Sequence, residues 1–304
     1  MIPGKRLIVR PVPAGVVPLW MVLASMDMTS WGVGQILAKK ATDRLGAVMM
    51  VLLVSLIDGT GYVLLYLLLG EAFPALSWAY VFAGLSAVAG MLGYILYYEA
   101  LLRGNVSVVG TISAASPLVT ITGAMAFLGE MPTATQAVGI ALLVGVVLLL
   151  SYEPVGAEWR IPAAVALSVA ILFLWGIWAL LTKAAVESDG DGGFGPFHVI
   201  ALYSITNFTM GPAYFLWRRR RHPPPDPSRR AFALAVVAIL LLIVGIVATT
   251  VALSIGPASL VAAVSGSYPV VTALVAFLVL REKATLPRVL ALLLFVPGIV
   301  LVAL

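Results

Sequence analysis

Apolar positions along the 304 residues fall in continuous blocks and not in strict alternation. Ten blocks can be drawn, at about 15–38, 46–69, 76–102, 106–128, 134–151, 161–184, 194–217, 231–255, 258–280 and 285–304. Most are about 20 residues long, the length at which a helix crosses a hydrocarbon layer of ~30 Å. The pattern predicts an all-α integral membrane protein of ten transmembrane helices. Most connections are only a few residues, so neighbouring helices should run antiparallel. The basic residues Lys5, Arg6 and Arg10 before the first block resemble the start of a signal peptide. That block is too long for such a peptide and carries Asp27, so it is read as the first helix. The polar stretch YEPVGAEWR (152–160) separates comparable halves, predicting two five-helix units over 1–152 and 153–304.

The halves share a text. Residues 100–133 read ALLRGNVSVVGTISAASPLVTITGAMAFLGEMPT, and 152 positions later the chain reads ALSIGPASLVAAVSGSYPVVTALVAFLVLREKAT. Thirteen of these 34 positions are identical without a gap, among them Gly104/Gly256, Ser107/Ser259, Ser113/Ser265, Pro117/Pro269, Thr120/Thr272, Glu130/Glu282 and Thr133/Thr285. Self-similarity whose period is half the chain indicates duplication. It extends to the first block of each half, where Trp31-Gly32 followed by Lys39 recurs as Trp175-Gly176 followed by Lys183. Five is an odd number, so the second unit must enter the membrane from the opposite side. The expected arrangement is two inverted repeats about an axis in the membrane plane, with a site near the midplane between them.

Composition agrees with a lipid solvent. Hydrophobic residues make up 62% of the chain and charged residues 10%, and mean hydropathy is +1.10. A water-soluble body of this size needs a polar coat that this chain lacks. No cysteine is present, which removes disulfides, thiol chemistry and cysteine-based metal sites. His198 and His222 stand apart from any second ligand, and residues 189–195 (DGDGGFG) lack the spacing of a calcium loop. Neither H-E-x-x-H nor G-x-x-x-x-G-K-[ST] occurs, so no enzyme, no cofactor and no ATP-driven pump is expected. Uphill movement would have to draw on a gradient.

The net charge of +5 resides in the loops. Four Lys and Arg (Lys5, Arg6, Arg10, Lys183) lie on the side of the termini, and fourteen lie in the loops of the other side. The positive-inside rule then places the odd-numbered loops in the cytoplasm and both termini outside. The run RRRRHPPPDPSRR (218–230) reads as a topology anchor beside anionic headgroups and not as a nucleic-acid site.

The doubled pattern A-L-x-x-G-x-x-S, then S-x-x-x-P-x-V-T, then L-x-E resembles the EamA-type branch of the drug/metabolite transporter superfamily. The resemblance covers essentially the whole chain. It implies ten helices around a central cavity walled by helices 1, 3, 4, 6, 8 and 9, and a cargo among amino acids, drugs, nucleotide precursors and other small metabolites; an amino acid, amine or drug-like compound is the expected one. Proteins it resembles are usually described with cytoplasmic termini, in contrast to the charge count. A bacterial or archaeal plasma membrane is the expected location, with a monomer or homodimer as the assembled form.

Candidate chemistry centres on intramembrane acids. Asp27 lies near the middle of the first block and Asp58 near the middle of the second. A carboxyl at that depth costs several kcal/mol unless it faces a wet cavity, is paired or is protonated. Trp31 and Gly34 follow Asp27 at i+4 and i+7 with Gln35 beside them, giving one face an acid, an indole and an amide. Ile171 stands where Asp27 would repeat, an asymmetry expected of a substrate or proton site on a symmetric frame. A structural hydrogen bond is the competing role for Asp27, and is the stronger expectation for Asp58, because the second helix is not expected to line the cavity. Glu99 accompanies Tyr94, Tyr97 and Tyr98, a cluster fitting a site or an interfacial belt equally.

Ser113, Ser116 and Thr120 fall on one helix face, as do their counterparts Ser265, Tyr268 and Thr272. Together with Trp175 they complete the predicted substrate-binding set; tight helix packing is the alternative role for such small hydroxyl faces. Pro117 and Pro269 each free a carbonyl one turn earlier, marking two predicted gates. Lys39 and Lys183 fit snorkelling better than carboxylate binding. The expected function is gradient-driven transport of a small metabolite by alternating access, in the export direction, with a proton as coupling ion and lipid as the surrounding partner. A lipid-headgroup flippase and a structural or sensory membrane protein are the alternatives.

Overall fold

The structure is a computed structural model, and it describes residues 17–101, 103, 109, 112–151, 163–188, 193–220, 228–278 and 286–304. Among these, every regular element is helical: α1 (Leu19–Leu45), α2 (Ala47–Leu69), α3 (Trp78–Leu101), α4 (Pro117–Phe127), α5 (Ala134–Ser151), α6 (Ala163–Ser188), α7 (Pro196–Arg218), α8 (Arg229–Ile255), α9 (Ala258–Ser265), α10 (Tyr268–Leu278) and α11 (Leu286–Ala303). Six spans among the described residues are long and apolar enough to cross a membrane: α2, α3, α6, α7, α8 and the pair α9–α10. Large apolar side chains such as Leu67, Leu68, Phe127 and Trp217 are more than two-thirds exposed on the outside, as a lipid-facing surface requires. The linker at 152–160, the repeated Gly104, Ser107, Glu282 and Thr285, His222 and several basic loop residues lie outside the described residues.

Two boundaries differ from the hydrophobic blocks. The first helix continues to Leu45, because Ala-Lys-Lys-Ala-Thr-Asp-Arg is a good helix former and Lys39 pairs with Asp43 one turn on, at 3.1 Å. Gly46, at φ 76°, then turns the chain directly into α2. The ninth block is two helices, α9 and α10, separated by Gly266 and Ser267. The break falls just before Pro269, whose missing N–H cannot continue the ladder. The described part of the fourth block shows the same punctuation, with turn residues Ala114–Ser116 just before Pro117. Gly266 sits against the Pro117 ring, where any added methyl would collide.

The most extensive helix contacts join one half to the other: α1 with α8, α3 with α6, α2 with α7, and α5 with α11. Individual contacts recur with the halves exchanged. A methyl added to Gly32 would lie 2.8 Å from the Tyr268 carbonyl oxygen, and one added to Gly176 would lie 2.8 Å from the Ser116 carbonyl oxygen. The Thr272 hydroxyl donates to the Gly32 carbonyl at 3.0 Å, and the Thr120 hydroxyl donates to the Gly176 carbonyl at 3.1 Å. Trp31 packs onto Gly245, and Trp175 onto Gly93, in each case where a side chain would not fit. Small residues let these backbones approach, which is how helices bind one another where lipid supplies no hydrophobic drive.

The repeated glutamate also acquires a role. Glu130, 1% exposed, accepts from the Ala258 amide at 2.5 Å, the Ser259 amide at 2.9 Å and the Ser259 hydroxyl at 2.5 Å. A carboxylate of the first half thereby satisfies the orphan donors at the start of α9. At the same end, Lys183 donates to the carbonyls of Leu253 and Gly256 at 2.9 and 2.8 Å and pairs with Glu187 at 2.8 Å.

Candidate functional site

The centre of the helix bundle holds a cavity of about 120 Å³. Helix α1 contributes Asp27 and Trp31, one turn apart on the same face. Helix α3 contributes Tyr94, and α6 contributes Trp175 and Trp178. Ser116, Pro117 and Thr120 enter at the start of α4, while Ser265 and Tyr268 enter at the break between α9 and α10. The two proline-marked breaks therefore meet at the cavity, where unwound backbone can be sheltered from lipid.

Helix α2 also lines this cavity, through Asp58 and Tyr62, contrary to the expectation that the second helix stays outside. The reason is its packing against α7. Ser55 fills the place of a side chain at Gly211, and Gly59 receives the Phe208 ring, which would lie 3.0 Å from an added methyl. That close approach turns the face carrying Asp58 and Tyr62 inward. Helix α7 answers with Tyr203, Thr206 and Asn207.

The polar groups of the cavity divide into held and free. The Tyr203 hydroxyl is fixed by Thr182 at 2.5 Å and Ser86 at 3.2 Å. Asn207 donates to the Tyr203 carbonyl at 2.9 Å. By contrast Asp27 Oδ1, Asp58 Oδ1, Tyr94 Oη and Thr249 Oγ1 are buried without a hydrogen-bond partner among the described residues. Asp27 and Asp58 are 7% and 2% exposed, and among the described residues no Lys, Arg or His lines the cavity. Buried acceptors of this kind call for a donor or a cation.

A second cavity of about 150 Å³ opens where α1 ends, lined by Gln35, Lys39 and Asp43 and by Tyr97 and Tyr98 of α3. Trp31, Tyr94 and Trp175 line both cavities. Their rings lie 5.9–6.3 Å apart, Trp31 stacked on Tyr94 and each of the two set edge-on to Trp175. These three rings form the boundary between the two spaces.

The predicted site residues thus distribute unevenly. Asp27, Trp31, Tyr94, Ser116, Thr120, Trp175, Ser265, Tyr268 and Pro117 line the central cavity, while Gln35 and Tyr98 line the second. Ser113 donates to the Val109 carbonyl at 2.8 Å and Thr272 spends its hydroxyl on Gly32; neither these two nor Pro269 lines either of the two cavities. Glu99 serves as a tie between α3 and α7, meeting Arg218 at 2.7 Å and the Tyr214 hydroxyl at 2.8 Å, with Arg103 also paired to it. Asp58, Tyr62, Trp178, Tyr203, Asn207 and Thr249 were not singled out for the site. The i, i+4 spacings Asp58/Tyr62 and Tyr203/Asn207 carried a readable signal, but Thr249 carried none.

A family model of the EamA-like transporter family matches residues 18–152 and again residues 162–304. This chain belongs to the EamA-like transporter family. Members are membrane transporters of the drug/metabolite transporter superfamily, which makes this a multi-pass membrane protein. An uncharacterized protein of Methanocaldococcus jannaschii is 37% identical over 70 residues, 23% of this chain. The match spans about half of that relative, 51% of its length. A solved crystal structure superposes with a TM-score of 0.75 over 93% of this chain and 95% of its own, at 15% identity. That likeness shows the fold alone.

Proposed function

We propose that this family member is a gradient-driven secondary transporter that moves a small cationic metabolite by alternating access between two inverted five-helix repeats. Asp27 is the observation that carries the reading. It is a buried carboxyl on the wall of the central cavity, without a basic partner among the described residues that line it. Protonation and cation binding compete for one such group, which couples two fluxes without a nucleotide site. The other titratable groups lining the same cavity are Asp58, Tyr62, Tyr94, Tyr203 and Tyr268. Contacts that recur with the halves exchanged support the pseudo-two-fold relation, and the broken helices at Pro117 and Gly266 are the parts placed to move. Export is the direction to be assayed first.

Asp27→Asn keeps the shape and removes the titration. In proteoliposomes, transport should fall by about tenfold or more and lose its dependence on pH between about 5.5 and about 8.5. Normal transport by this variant across that range would make the acid structural and shift the site toward Ser116, Thr120 and Ser265. Orientation follows the basic residues, with the loop before α8 in the cytoplasm. Because the chain has no cysteine, Arg230→Cys creates a unique thiol, and an impermeant maleimide added to intact cells should leave it unlabelled. Strong labelling from outside would reverse the orientation.

A further inference from the structure

Two carboxyls share the central cavity, and the remaining groups are arranged at both. Asp27 has the hydroxyls of Thr249 and Ser265 beside it, and Thr249 Oγ1 is itself buried and unpartnered. Asp58 lies beside Tyr62 on α2, with Asn207 on the same cavity wall. Asn207 uses its amide N–H on the Tyr203 carbonyl, so its side-chain oxygen is left as an acceptor. An ammonium group has three donors and seeks one carboxylate and two further oxygens. Asp27 with Thr249 and Ser265, and Asp58 with Tyr62 and Asn207, each make up such a set on the cavity wall. Trp31, Tyr94 and Trp175 also line the cavity, and their faces suit both methylene groups and cations.

Charge and size narrow the ligand further. A single ammonium neutralises one acid and leaves the other as a buried, unpaired charge, which costs several kcal/mol or forces its protonation. A dication neutralises both. At about 120 Å³ the cavity is well below the roughly 300–1,000 Å³ of pockets for drug-sized ligands. We infer that the cargo is a short linear diamine, with one ammonium at Asp27 and the other at Asp58. The inference rests on the reading of this cavity as the transport site.

The test compares three linear ligands of one length on the purified full-length protein: 1,4-diaminobutane, 4-amino-1-butanol and butylamine. Calorimetric titration of the wild type should give an affinity for the diamine about tenfold or more above that for either monoamine, since one charged hydrogen-bonded contact separates them. Asp58→Asn should bring the three affinities within about threefold of one another. Equal affinities in the wild type overturn the diamine assignment and leave the cation site at Asp27 standing. Absence of binding by all three, with Asp27→Asn transporting normally, overturns the cation site as well. The wild-type comparison needs no variant, so a misfolded Asp58→Asn does not remove the test.

Discussion

Helices α1 and α6 hold matched places in the two halves and make matched contacts, yet they differ at two positions that bear charge. Trp31 and Gly32 repeat as Trp175 and Gly176, and a methyl added to either glycine would lie 2.8 Å from a backbone carbonyl oxygen of the other half. Where α1 has Asp27 against the cavity, α6 has Ile171, fully buried in apolar core. Where α6 has Lys183, 4% exposed and bonded to two carbonyls at the end of α8, α1 has Lys39, whose side chain is half exposed and meets Asp43 alone. The frame is duplicated and the chemistry is not. Lys183 and Glu130 both grip the turn between α8 and α9, and the second cavity opens at the opposite end, beside Lys39.

The shared frame can be broken most severely at its glycines. Gly32→Leu and Gly176→Leu each drive a side chain into a backbone carbonyl that cannot move aside, so both should lose about 3 kcal/mol of stability, at the upper end for overpacking. Thermal unfolding in detergent should show similar losses for the two. Tolerance of one with collapse of the other would break the symmetry of the contacts.

The difference between the lysines is the next test. Lys183→Met removes three partners at once and leaves two buried carbonyls unsatisfied, at a cost of about 1–3 kcal/mol. Lys39→Met removes an exposed pair and should change stability by less than about 1 kcal/mol. Equal melting shifts for the two variants would show that the two helix ends are equivalent, contrary to their geometry.

Of the site, the sequence supplied the residues whose presence in lipid is itself an anomaly. Asp27 and Trp31 stand out because an acid and an indole one turn apart in an apolar block have to face something other than lipid. The repeated prolines announced the helix breaks for the same reason, since the missing N–H is a local fact. Asp58 was equally visible, but whether it faces the cavity depends on how Ser55 and Gly59 meet α7 and not on α2 alone. Thr249 lies among alanines, valines and a second threonine, and nothing in that run distinguishes a cavity-lining hydroxyl from one that bonds its own helix.

The chain by itself determined the solvent, the helical class, the duplication and the family, because length, hydropathy and repeated text are properties of single segments or of their order. The tertiary structure decided which groups share a space. It put two acids from adjacent helices in one cavity and divided that cavity from a second by three rings. It also assigned the repeated Glu130 and Ser259 to each other across the halves, and buried one lysine of a matched pair while exposing the other. Periodicity fixes the face a residue occupies, but the neighbour that face meets depends on small-residue contacts between helices far apart in the chain, and those contacts carry no local signature.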